Sequence, residues 1–164
     1  LWASAETIPL QAQEMPINIE TQTAMFRKIF VFNRTMEGKK VKVLVVYNNA
    51  SASLVEGVTA GFQAQGIETL AAREDAVERT LKDNKGKIHA LYIMPAVLSS
   101  FDKLCAEHQI LSITGVPTLT RAGKASVALG VRNGKPSIVV HLQQLKGEGQ
   151  ELSASLLQIA QIVQ

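Results

Sequence analysis

The sequence predicts an α/β domain: a three-layer, mostly parallel sheet with helices on both faces and an antiparallel Asn-Gly hairpin at its C-terminal edge. Three observations carry that prediction. Between residues 41 and 114, apolar runs of strand length alternate with amphipathic stretches of helix length, the pattern of parallel strands joined by right-handed crossovers. Residues 41–47 form a near-continuous β-branched run, as in a strand buried on both faces. Near the C-terminus, Val127, Leu129 and Val131 alternate with small or polar residues before Asn133-Gly134, and Ile138, Val140 and Leu142 alternate after it. Asn-Gly between two period-two runs marks a type I′ turn, which needs positive φ at both central residues.

The elements follow in order. Residues 1–16 read as a leader: Ala3-Ser4-Ala5 follows an apolar residue as at the end of a secretory signal peptide, so export with cleavage near Ala5 is expected. Pro9 and Pro16 keep the rest of the leader extended. Residues 17–164 make a single domain. A helix is expected over residues 19–34, with Asn18 as its N-cap. Its apolar stripe is Met25, Ile29, Phe32 and Met36, flanked by Phe26 and Phe30, so it serves as core, or as core plus interface. Residues 37–40 break the helix and the 41–47 strand follows. Asn48-Asn49 ends the strand, Ser51 or Ser53 caps a helix reaching about Gln65, and Gly66 stops that helix. Then come a strand at 67–71, a charged helix at 75–85 and a strand at 87–94 stopped by Pro95. A helix at 99–108 and a strand at 110–114, stopped by Gly115, complete the alternation. Val116-Pro117 opens a short irregular or helical turn, the hairpin follows, residues 145–149 read as a turn, and residues 152–163 as the last helix. This order is flavodoxin/Rossmann-like, and it places loops 48–53 and 95–99 beside the topological switch point at the carboxyl ends of the strands.

Composition narrows the function. A chain of 164 residues carries a single sizeable core. The net charge is only +3, with Lys and Arg scattered and no basic block, which argues against nucleic acid as a partner. No apolar run approaches the ~20 residues of a membrane span, so membrane contact is peripheral at most. The single Cys105 excludes an intrachain disulfide and a multi-cysteine metal site. His89, His108 and His141 lack metal-ligand spacing. Cys105 lies three residues before His108, yet its apolar neighbours Phe101, Leu104 and Ile110 mark a core position rather than a nucleophile. Asp102, Glu107, Glu148 and Glu151 read as scattered solvating charges, and no G-x-S-x-G elbow is present. No catalytic residue, metal ligand or cofactor motif emerges. The loop 48–53 opens a helix and is rich in hydrogen-bonding groups, which suits an anion, but it lacks glycine and reads more simply as strand exit and helix cap. The candidate contacts for a ligand or partner are Asn49, Ser51, Ser53, Pro95, Gly115 and Pro117 at the strand ends, with Phe30 on the first helix.

Residues 111–163 resemble the YfiR-like family of small periplasmic proteins. The stretches that carry the resemblance are Ser112-Ile113-Thr114-Gly115, VPTLTRAG at 116–123, VALGVRNGKPSIVVHL at 127–142, LKGEG at 145–149 and LSASLLQIA at 152–160. The first helix, with Phe26, Arg27, Lys28, Phe30 and Phe32, also looks like that of the family. The resemblance implies a non-catalytic periplasmic protein that binds the periplasmic sensor region of an inner-membrane diguanylate cyclase and holds it inactive, release raising cyclic di-GMP and promoting biofilm. Similar domains occur near sensor kinases, so a sensor kinase is the related partner, and a homodimer is one form the regulator can take. The family's well-studied repressor has two disulfides; with Cys105 alone, intramolecular disulfide switching does not carry over. An alternative of a different class is a small-molecule sensor resembling half of a periplasmic solute-binding protein, with its ligand among loops 48–53, 95–99 and 115–118.

Overall fold

The computed structural model describes residues 14–164; the Ala-Ser-Ala remnant and most of the extended leader lie outside the described residues. Helix α1 (Ile19–Val31) precedes strand β1 (Lys42–Tyr47), and α2 (Val55–Ala64) leads to β2 (Glu68–Arg73). Next come α3 (Val77–Asp83), β3 (Ala90–Ile93), α4 (Asp102–His108), β4 (Leu111–Thr114) and α5 (Pro117–Arg121). The chain ends with β5 (Val127–Arg132), β6 (Lys135–His141), α6 (Leu142–Gly147), α7 (Ala154–Ile159) and β7 (Gln161–Val163). The seven strands form one sheet in the order β2-β1-β3-β4-β5-β6-β7. The first five pair in parallel with the flavodoxin-like order, and the switch point lies between β1 and β3.

The register explains the layers. Val45 pairs with Tyr92, Tyr92 with Ile113, and Ile113 with Val127, so these residues share one face. On that face Tyr92 meets Phe26 of α1 and Phe62 of α2 edge-on, with ring centroids 6.0 and 5.8 Å apart, an arrangement that suits aromatic quadrupoles. Ser112 of β4 points the other way, toward the segment that follows α6. Both faces of the central strands are therefore covered, as the unbroken apolar run of β1 predicts.

Asn18 caps α1 as the sequence indicates, its side chain accepting from the Thr21 N–H at 2.8 Å. The buried face is rotated from the expected stripe, to Gln22, Thr23, Phe26, Ile29 and Phe30, while Phe32 is 46 % exposed. The reason is α2. A Cβ on Gly61 would stand 2.9 Å from Thr23, so glycine there lets α1 lie close against α2 on the same face of the sheet. The helix also ends at Val31 rather than near residue 34. Asn33 is drawn into tertiary bonds, donating to Gln150 Oε1 at 2.8 Å and accepting from the Thr35 N–H at 3.0 Å.

The hairpin turns as predicted, with φ of 53° at Asn133 and 75° at Gly134. Two corrections lie beyond it. Residues 145–149 are the exit of a helix, not a free turn: α6 starts at Leu142, and His141 Nδ1 caps it by accepting from the Gln144 N–H at 3.2 Å. The expected helix over residues 152–163 stops at Ile159, after which Gln161–Val163 pairs in parallel with Val139–His141 as a new edge strand. A free strand edge offers backbone partners that isolated helical periodicity cannot reveal, and Ile162 and Val163 are β-branched residues suited to it.

Candidate functional site

The strand-end loops are organised by Asn48, at the exit of β1. Its side-chain amide donates to the Ala96 carbonyl at 2.5 Å, and its Oδ1 accepts from the N–H groups of Ala50 at 3.0 Å and Ser51 at 3.3 Å. Ser51 is buried, and its hydroxyl accepts from the Asn48 N–H at 3.2 Å, so it closes the loop rather than capping α2 with its side chain. The second loop carries Pro95, half-buried, and Ala96 at φ 71°. Glu74, just before α3, holds that loop from the side. Its carboxylate accepts from the Ser99 N–H at 2.9 Å, the Ser99 hydroxyl at 2.8 Å and the Leu98 N–H at 3.1 Å. Partial burial pushes the Glu74 carboxyl up, but the hydrogen bonds from Ser99, Asn48 and Leu98 outweigh it and leave the group below its ordinary value. Asn49, exposed, accepts from the Arg73 guanidinium through its Oδ1.

The Asn48–Ala96 bond thus joins the loop of Asn49, Ser51 and Ser53 to that of Pro95 as one rim, with Asn49 and Ser53 facing solvent. Two apolar side chains that the sequence reading passed over stand on the same two loops: Leu98 is 62 % exposed and Leu54 37 % exposed. Gly115 and Pro117 sit below the surface at the end of β4. A Cβ on Gly115 would collide with the Gln22 amide. Gln22 is itself buried, accepting from the Tyr92 hydroxyl at 2.6 Å and donating to the Ile17 carbonyl at 2.8 Å. Burial keeps the Tyr92 phenol protonated well beyond its ordinary range. Phe30 stands apart from all of these, 5 % exposed near the other end of α1.

On the opposite face of the sheet lies a buried carboxylate. Glu148, 1 % exposed, accepts from the Ser112 N–H at 3.0 Å, the Ser126 hydroxyl at 2.7 Å, the Ser112 hydroxyl and the Gln144 amide at 3.4 Å. It is therefore not a solvating charge. α6 puts Gln144 and Glu148 one turn apart on the face toward β4, and Gly149, at φ 69°, turns the chain away directly afterwards. Burial pushes the Glu148 carboxyl up to about 7, although the bonds from Ser112, Ser126 and Gln144 work against it. Cys105 is fully buried nearby, its thiol pushed up by burial and by the charges of Glu148 and Asp102, the opposite of a reactive thiolate. His89 Nδ1 accepts from the Lys42 N–H at 3.0 Å, and His141 is the cap of α6. Among the described residues, no group of three or more His, Cys, Asp and Glu side chains is placed to hold a metal ion, and no helix is long and apolar enough to cross a membrane.

A protein-family description, YfiR/HmsC-like, matches residues 20–161, from the first turn of α1 to the start of β7. The chain belongs to the YfiR/HmsC-like family. That family is one of periplasmic signalling regulators. No curated protein matches the chain. Solved structures reproduce the fold. A conserved domain protein from Vibrio cholerae aligns with TM-score 0.65 and 14 % identity over 89 % of this YfiR-like chain. The ligand-free, open structure of a substrate binding protein with adhesive properties from Clostridium difficile aligns with TM-score 0.62 and 14 % identity over 90 %. An ABC domain in complex with L-Trp from Streptococcus pneumonia aligns with TM-score 0.60 and 11 % identity over 89 %. The YfiR-like chain spans 60 % of the length of each of these three. At such identities the likeness is one of fold.

Proposed function

We propose that this protein is a non-catalytic periplasmic regulator that binds the periplasmic sensor region of an inner-membrane diguanylate cyclase, or of a related receptor such as a sensor kinase, and holds it inactive. Membership of the YfiR/HmsC-like family over residues 20–161 carries the reading. The rim at the strand ends supports it. Asn48 joins its two loops and Glu74 holds the second, which ties both in place. What they present outward is apolar Leu98 and Leu54 beside Asn49, Ser53 and Pro95. Apolar anchors within a polar surround are the usual anatomy of a protein interface. Ser51 closes the first loop from within, and Gly115 and Pro117 are buried at the end of β4. Phe30 supports the end of α1, where Val31 is 73 % exposed beside Phe32. A receptor, or a second copy in a homodimer, docks on these patches. Repression then follows from preferential binding to the receptor's inactive state; moving a receptor from mostly active to mostly inactive takes a differential affinity of about 5.5 kcal/mol.

Deleting the protein is expected to raise cyclic di-GMP. An exported copy should restore the level and a copy confined to the cytoplasm should not. An unchanged level, together with a pull-down that recovers neither a cyclase nor a sensor kinase, overturns the reading. The second reading, a small-molecule sensor, is favoured by the likeness to a substrate binding protein over 90 % of the chain. Under it Asn49, Ser53 and Pro95 would contact a ligand, and a metabolite at a hundredfold its Kd would add about 2.7 kcal/mol of stability in a thermal-shift screen. The exposed apolar Leu98 and Leu54 on that rim favour the first.

A further inference from the structure

A cavity of about 590 Å3 opens at the end of the molecule away from the strand-end rim, between the end of α1 and the turns leading into β1 and β2. Two glycines shape it. Gly38 and Gly66 lie at φ 75° and 76° with open space where a Cβ would go, so each is there for its backbone, reversing the chain on one side of the opening. The inner wall is apolar: Phe30, Met36 and Ile67 are buried core residues, and Val31 and Val41 extend that surface outward. The rim is cationic. Arg27, Lys39 and Lys40 line it against one carboxylate, Glu37. Lys40 is bound to Glu68 at 3.1 Å, whereas Arg27 and Lys39 have no ion pair within 4.0 Å among the described residues. The positive field is felt nearby: burial, and then the charge of Lys39, hold His89 below its ordinary value.

An apolar wall beneath an uncompensated pair of cations is complementary to one kind of molecule. We infer that this cavity binds an amphiphilic organic anion, an alkyl carboxylate whose tail lies on Phe30, Met36 and Ile67 and whose head meets Arg27 and Lys39. Its volume falls within the range of about 300–1,000 Å3 usual for small-molecule sites. Exposed Val31 lines the entrance, so a tail reaching past the inner wall covers apolar surface that otherwise faces water. The inference stands without the receptor reading, since it concerns the isolated protein.

The test is calorimetric titration of the full chain with decanoate below its micellar concentration. Saturable one-to-one binding is expected. Octanoate, two methylenes shorter, should bind about fifteenfold more weakly, from the ~0.8 kcal/mol that each buried methylene contributes. Decyltrimethylammonium, of the same tail and opposite charge, should not bind detectably, nor should acetate. Arg27→Gln with Lys39→Gln should weaken decanoate at least tenfold, as should Val31→Glu, all at exposed positions where the melting temperature is expected to hold. Absence of decanoate binding overturns the inference. So does equal affinity for octanoate or for the cationic analogue, or binding that survives the substitutions at Arg27, Lys39 and Val31. The ligand series is read on the unaltered protein, so the test stands even where a variant fails to fold.

Discussion

Replacing Glu148 with Gln should abolish a pH dependence of stability that the unaltered protein carries. The carboxyl titrates at about 7 in the fold against an ordinary value of 4.5. Between those values the folded protein holds a proton that the unfolded chain has released, so stability falls as pH rises through this window and levels off above about 7. The gap corresponds to about 3 kcal/mol lost by the time the carboxylate is fully ionised. Glutamine stays neutral throughout and keeps the shape. Its carbonyl accepts from the Ser112 N–H and the Ser126 hydroxyl, and the hydroxyl of Ser112 can rotate to accept from its amide. Any cost of that rearrangement is the same at every pH. Urea unfolding from about pH 5 to about pH 8 reads the difference: with a slope of about 1–3 kcal/mol per molar, the midpoint of Glu148→Gln should gain on the order of 1 M relative to wild type across the range. All other titrating groups are common to both proteins and cancel. A midpoint difference that stays constant with pH would refute the assignment of a buried carboxyl pushed up by burial at this position.

Three further outcomes are expected. Gly115→Ala drives a methyl group into the buried Gln22 amide and should cost about 1–3 kcal/mol, seen as a lower urea midpoint. Leu98→Asp alters an exposed side chain; it should change stability by no more than about 0.5 kcal/mol yet weaken receptor binding by about 2 kcal/mol or more if Leu98 is an anchor, checked by parallel unfolding and receptor pull-down. Native Cys105 should resist iodoacetamide until urea unfolds the chain, because it is fully buried and its thiol is held protonated; rapid labelling of folded protein would contradict that.

Local chemistry determined much of this molecule. The β-branched run before Tyr47, the Asn-Gly turn, the Asn18 cap and the alternation of strands with helices are short-range signals, and each produced its element. The family resemblance in residues 111–163 was likewise legible, and the match over residues 20–161 bears it out. What needed the tertiary structure were choices between partners far apart in the chain. The face that α1 buries depends on how closely Gly61 of α2 lets it approach, and its end depends on Gln150 capturing Asn33. Residues 161–163 became a strand because β6 has an edge to pair with. Glu148 looks like any solvated glutamate in sequence, since burial is a property of α6 lying over Ser112 and Ser126. The rim is the same case. Asn49, Ser53 and Pro95 could be chosen from their positions after strands, but Asn48 and Glu74, which tie the loops, and Leu98, which they present, are set by contacts spanning up to 48 residues of chain. Sequence periodicity records which side chains avoid water along one element; which element then meets which, and what is enclosed between them, is decided only when all of them pack at once.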